Sequence, residues 1–161
     1  MVKVQTQGCL ITLSESRVVN VPADAAYRML FEPAELLKWN TNFLLAKPEP
    51  EGDIRSGTIL KSSTKSTGKT IIVCEEVLPG KRFTYNSAVK IMCLIPLGTQ
   101  RHKYEVEGLG ERSKITQTIS FIPKGLGKIF KRSITNGFRK IIADSFDDFR
   151  VYAEQKMQHQ Q

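Results

Sequence analysis

The chain has 161 residues, 40% of them hydrophobic and 25% charged. That is ordinary globular usage, which argues against wholesale disorder, and the length fits one domain over residues 1–161 that buries about 68–70% of its unfolded surface without staples. Lys and Arg outnumber Asp and Glu by 24 to 16, a net charge of +8, which favours an anionic ligand, nucleic acid or an anionic membrane surface as partner and says nothing about fold.

The three cysteines, Cys9, Cys74 and Cys93, show no CxxC spacing. They are expected to be free thiols packed in strands as small apolar residues, in a cytoplasmic protein. Residues 1–8 lack the apolar segment of a signal peptide. The longest apolar run, residues 91–97, falls far short of the ~20 residues that span a bilayer.

Residues 9–21 alternate imperfectly, with Cys9, Ile11, Leu13, Val19 and Val21 on one face and Glu15 and Arg17 interrupting it, which predicts a long, partly buried strand. Pro22 ends the strand and opens a helix carrying Ala25, Ala26, Met29 and Leu30 at helical spacing. Pro33 stops that helix and starts a second, shorter one that reaches Trp39. Six strands are predicted next, over residues 43–47, 57–63, 70–78, 82–93, 100–107 and 114–122. Their loops are too short for parallel crossovers, so they read as successive antiparallel hairpins. Leu126, Ile129, Phe130, Ile134, Phe138, Ile141, Ile142, Phe149, Tyr152 and Ala153 recur three or four apart and predict one amphipathic helix over residues 125–155, roughly 45 Å long. Gly137 within it predicts a bend or a close backbone contact, and residues 155–161 read as a frayed polar tail.

A helix with a broad apolar stripe must bury it, and the concave face of a curved seven-stranded sheet is the surface large enough to receive it. The order predicts an α+β fold in which the sheet grips the long helix, with two short helices after the first strand and a cavity between sheet and helix.

The string Val19-Asn20-Val21-Pro22-Ala23-Asp24-Ala25-Ala26-Tyr27-Arg28-Met29-Leu30, followed by Glu32-Pro33 and Leu36-Leu37-Lys38-Trp39-Asn40, resembles the opening of the START/birch-pollen-allergen superfamily. This is the helix-grip fold also called SRPBCC or polyketide cyclase/dehydrase-like. Gly52-Asp53-Ile54-Arg55-Ser56-Gly57 and Val77-Leu78-Pro79-Gly80-Lys81-Arg82-Phe83 resemble two of its later turns. The likeness covers nearly the whole chain through short, structural motifs. It implies a hydrophobic cavity between sheet and helix that holds lipids, polyketides, hormones or other amphipathic ligands. Members that resemble this chain also act as cyclases, chaperone-ATPase activators or quinone-binding proteins, and none of their catalytic residues maps here by a motif.

Ser66-Thr67-Gly68-Lys69-Thr70 ends like a Walker A loop. Ser63 and Thr64 stand where that motif needs its first glycine, and a strand follows instead of a helix, so the segment reads as a hairpin tip and no cofactor is expected. No nucleophile–base pair, paired carboxylates or metal-ligand cluster can be assembled. His102 shares strand parity with Gln100, Tyr104 and Val106, and reads either as a half-buried strand residue or as a cavity base or ligand partner. The same parity aligns Phe83, Tyr85, Ser87, Val89 and Ile91 on one strand and Ile115, Gln117, Ile119 and Phe121 on another. The ligand-contacting residues expected from these faces are Trp39, Phe43, Tyr85, His102, Tyr104, Gln117, Phe121, Ile134, Phe138 and Ile141, in a site for a hydrophobic or amphipathic small molecule.

Lys124, Lys128, Lys131, Arg132, Arg139 and Lys140 cluster at the start of the last helix with Leu126, Ile129 and Phe130 between them. The pattern reads as a solvated face or as a basic amphipathic element for an anionic membrane or acidic partner. Nucleic acid is disfavoured, because the aromatic residues point inward instead of standing on an exposed basic sheet. Binding or transport of a small molecule is the leading function; a cyclase/dehydrase-type enzyme and an adaptor working through the basic helix are the alternatives.

Overall fold

The period-2 alternation folds into one open, curved antiparallel sheet of eight strands: β1 (Lys3–Gln7), β2 (Leu10–Val19), β3 (Phe43–Glu49), β4 (Ile59–Thr64), β5 (Gly68–Leu78), β6 (Arg82–Ile91), β7 (Ile95–Leu109) and β8 (Arg112–Pro123). The computed structural model describes residues 1–65, 68–91 and 95–159. Ser66 and Thr67 of the expected hairpin tip, Cys93, Gln160, Gln161 and the side chain of Ile91 lie outside the described residues. Spatial order is β1-β2-β8-β7-β6-β5-β4-β3, so β3 to β8 form the expected meander and β2 closes onto β8.

The expected count of seven strands omits β1. Val4 is its one half-buried residue, so the segment carries no core-facing alternation, and it is a strand because it pairs along β2 as an edge. Cys9 correspondingly lies exposed in the β1–β2 turn and not in a strand. Glu15, which interrupts the apolar face of β2, is buried all the same, with its carboxylate 3.0 Å from Arg17 Nε and 3.3 Å from the N-terminal amine.

Helices α1 (Ala23–Phe31) and α2 (Pro33–Trp39) follow β2. Pro33 forces Glu32 into the extended region (φ −71°, ψ 126°), which ends α1 and leaves the proline at the start of α2, where its missing N–H costs nothing. Trp39 Nε1 donates to the Met29 carbonyl at 2.9 Å and locks the two helices together.

The single helix expected over residues 125–155 is divided at Phe130 (φ −87°, ψ 11°) into α3 (Leu126–Ile129) and α4 (Lys131–Gln158). The cause lies in β7. A Cβ on Gly127 would fall 1.7 Å from the Leu97 carbonyl oxygen, and Lys124 N donates to that oxygen at 2.9 Å, so the short turn is pinned to the start of β7. Leu126, Ile129 and Phe130, expected on the buried stripe, are therefore exposed. The buried stripe of α4 is Phe138, Ile142, Phe146, Phe149 and Ala153, along a helix of 28 residues and about 42 Å at 1.5 Å per residue. Of the bend or close contact expected at Gly137, the close contact is absent: among the described residues no atom would lie within 4 Å of a Cβ there. Residues 155–158 are helical, not frayed, because Tyr152 and Lys156 both bind the Glu35 carboxylate on α2, each at 2.5 Å.

Candidate ligand cavity

Register places the concave-face side chains in rows across the sheet. Phe83 lies opposite Tyr104, Tyr85 opposite His102 and Ser87 opposite Gln100 on β6 and β7. Gln117, Ile119 and Phe121 of β8 continue these three rows. Side chains directly opposed on one face sit close enough for their rings to meet. Tyr85 stacks on His102 with centroids 4.8 Å apart at 9°, and Phe83 on Tyr104 at 4.8 Å and 15°.

Between this wall and the helices lie two adjoining lobes, of about 40 Å³ and about 90 Å³, that share Asn40, Phe43, Ile72, Tyr85 and Tyr104. Each exceeds the roughly 10–15 Å³ that admits one water. The smaller lobe lies under α1 and α2 and is apolar, with Leu30, Leu36 and Trp39 among its walls. The larger adds His102, Gln117 and Ser87 from the sheet and Phe138, Ile141 and Ser145 from α4. No charged side chain lines either lobe among the described residues.

Of the residues expected from the sequence, Trp39, Phe43, Tyr85, His102, Tyr104, Gln117, Phe138 and Ile141 are brought together here. Phe121 and Ile134 are not. Phe121 is fully buried and packs edge-on to Phe138 at 5.4 Å, and Ile134 packs half-buried against the main core. Asn40, Thr70 and Ser145 line the cavity without having been singled out. Ser87 and Gln100 share strand parity with Tyr85 and His102, a usable signal, whereas Asn40, at the end of α2, and Ser145, on α4, carry none.

His102 is buried, and neither ring nitrogen has a hydrogen-bond partner among the described residues. Burial lowers its pKa to about 4, so the ring is neutral at pH 7. Around it, Gln117 Nε2 donates to the Tyr104 hydroxyl at 2.6 Å and Gln100 Nε2 to Ser87 Oγ at 2.9 Å. Burial, and after it the neighbouring Tyr104 phenol, raises Tyr85 well above its ordinary value. Burial likewise pushes the Cys74 thiol up to about 11, which makes it a poor nucleophile. Among the described residues no group of His, Cys, Asp and Glu side chains could hold a metal ion.

The family described as polyketide cyclase / dehydrase and lipid transport matches residues 11–154. The chain belongs to that family. Its fold is similar to that of the Zhui aromatase/cyclase from Streptomyces sp. R1128, with a TM-score of 0.72 and 10% identity over 92% of this chain and 96% of that one. It is also similar to a hypothetical protein from Helicobacter pylori, at 0.71 and 16% over 87% and 86% of the two chains, and to Ara h 8.0201, at 0.67 and 16% over 91% and 99%. At these identities the likeness is one of fold, the helix-grip architecture. No curated protein matches the chain in sequence.

Proposed function

We propose that this family member binds a small, uncharged, amphipathic molecule, aromatic or polyketide-like, in the cavity between the sheet and α4. The observation that carries the reading is His102, buried in the cavity wall with neither nitrogen hydrogen-bonded among the described residues. A neutral imidazole offers one N–H donor and one acceptor, and leaving such groups unsatisfied costs about 1–3 kcal/mol. A ligand hydroxyl or carbonyl at this point offsets that cost. An ionised ligand would be buried without a counter-charge, which is expensive, so the ligand is read as uncharged.

Binding is favoured over cyclase/dehydrase-type chemistry. A base with a pKa near 4 is weak at neutral pH, and among the described residues no carboxylate of the cavity wall orients it.

Native mass spectrometry of the freshly purified protein, with extraction of whatever is bound, is expected to show a discrete neutral adduct. Titration with 1-naphthol, followed through Trp39 fluorescence, should saturate. His102→Phe keeps the ring stack and removes both nitrogens, so its affinity should fall about tenfold, the worth of one neutral hydrogen bond. Unchanged affinity would remove His102 from the binding reading, and an apo mass with no naphthol binding would end that reading altogether. Turnover of the extracted molecule, lost in His102→Phe while binding persists, would instead establish catalysis.

A further inference from the structure

We propose that α3 and the first turns of α4 form a docking surface for an anionic lipid bilayer. The inference goes beyond the cavity reading and stands without it. Leu126, Ile129 and Phe130 are 44%, 74% and 48% exposed, so three large apolar side chains stand in water on one short stretch. Lys124, Lys128, Lys131, Arg132 and Arg139 are interleaved with or follow them, and none of the five has an ion-pair partner among the described residues. Lys140, next in the cluster, pairs with Asp144, and elsewhere on the surface Lys38, Lys61, Arg82, Arg101, Lys103 and Lys114 face carboxylates while Lys3, Lys69 and Lys81 have no ion pair among the described residues. No acidic residue occurs between Glu111 and Asp144.

The cations at the start of the two helices are poorly placed for the helix dipole. Neither α3 nor α4 has an acidic residue in its first turn or a side-chain cap, although a helix N-terminus prefers negative charge. The presentation is nonetheless fixed, because Gly127 seats the turn directly on the Leu97 carbonyl.

Cations beside exposed apolar side chains match a surface that offers both phosphate groups and an acyl boundary. Nucleic acid would pair with the cations and leave Leu126 and Ile129 unmatched. Among the described residues no helix is long and apolar enough to cross a membrane, so the element would lie on the bilayer. The patch also adjoins one end of the cavity. Val89 lines the larger lobe and stands opposite Gly98, next to Leu97, to which α3 is pinned. A docked molecule would hold that end of the cavity at the lipid surface.

Co-sedimentation with vesicles of phosphatidylcholine and phosphatidylserine, against phosphatidylcholine alone, tests the proposal at low and high salt. The protein should bind the mixed vesicles, release in high salt and ignore the neutral ones. Reversal of Lys128, Lys131 and Arg132 to Glu should weaken binding at least about a hundredfold, and Ile129→Ser with Phe130→Ser about tenfold. Reversal of the exposed Lys3, Lys69 and Lys81 to Glu makes the same net-charge change elsewhere and should leave most of the binding intact. Failure to bind mixed vesicles overturns the proposal. So does equal loss in the control triple, which would mean adsorption by net charge. Binding that needs the cations but ignores Ile129 and Phe130 also overturns it, in favour of an acidic protein or another polyanion. Thermal melts of each variant show that the fold persists.

Discussion

Among the described residues a Cβ on Gly137 would meet no atom within 4 Å, whereas one on Gly127 would lie 1.7 Å from a backbone oxygen. The two positions therefore respond oppositely to one substitution. Gly137→Ala removes backbone entropy from the unfolded chain at an open helical site and should stabilise by about 1 kcal/mol, raising Tm by about 2–4 °C in a chain of this length. Gly127→Ala must displace Leu97 or α3 and should destabilise by about 1–3 kcal/mol. Denaturant midpoints of the two variants check both signs. His102 sets a pH limb at the same scale. Its ordinary pKa is 6.5 and burial lowers it to about 4, so between those values the unfolded chain takes the proton and the fold does not. Stability is complete above about pH 6.5 and is lost as pH falls towards 4, by on the order of 3 kcal/mol. His102→Phe should flatten this limb in urea titrations at successive pH values, and an unchanged limb would mean that another group carries it.

At the scale of elements, the tie between α2 and α4 runs through Glu35. Burial alone would raise its pKa, but hydrogen bonds from Lys156, Lys38 and Tyr152 override burial and bring it down to about 2. Lys156→Met keeps the apolar stem and deletes the charge. The Glu35 carboxyl should then titrate closer to its ordinary value of 4.5, and amide exchange in α2 and the last turn of α4 should quicken. Carboxyl NMR titration and hydrogen exchange check this; a Glu35 that still titrates near 2 would assign the effect to Lys38 and Tyr152. The same contact explains why residues 155–158 could not be read as helix. Their stop signal depends on a partner more than a hundred residues away in sequence. The strands of the meander were legible because alternation and turn dipeptides are local. β1 was not, because an edge strand with one half-buried residue has no face to display. The break at Phe130 was hidden for the same reason as the tail, since it arises from the Leu97 carbonyl. Within the site, parity located Tyr85, His102, Tyr104 and Gln117 because cross-strand register preserves it. It could not show that Phe138 closes over Phe121, which depends on how α4 lies on the sheet.

For the molecule as a whole, the apolar interior is split. A large cluster joins α1, α2, α4 and the β1–β2–β8–β7 side of the sheet, and a small one of Leu60, Ile72 and Cys74 sits under β4 and β5. Tyr85 packs against both, and the cavity occupies the space where they would otherwise meet. A chain of this length gains stability by closing such a space, so on the proposed binding reading an open lobe lined with polar groups trades stability for function. Ser145 tests the trade because it lines the larger lobe from a helix position that is only half-buried. Ser145→Leu extends an apolar side chain into the lobe and should stabilise the apo protein by about 1 kcal/mol while abolishing naphthol binding. Ser145→Ala leaves the lobe open and should bind as the parent does. The pair separates occupancy of the cavity from any effect of losing the hydroxyl. A Ser145→Leu protein that is more stable and still binds naphthol would place the ligand elsewhere on the molecule. One that is less stable would mean that the lobe cannot accept an added side chain, and that ligand entry requires α4 to move away from the sheet.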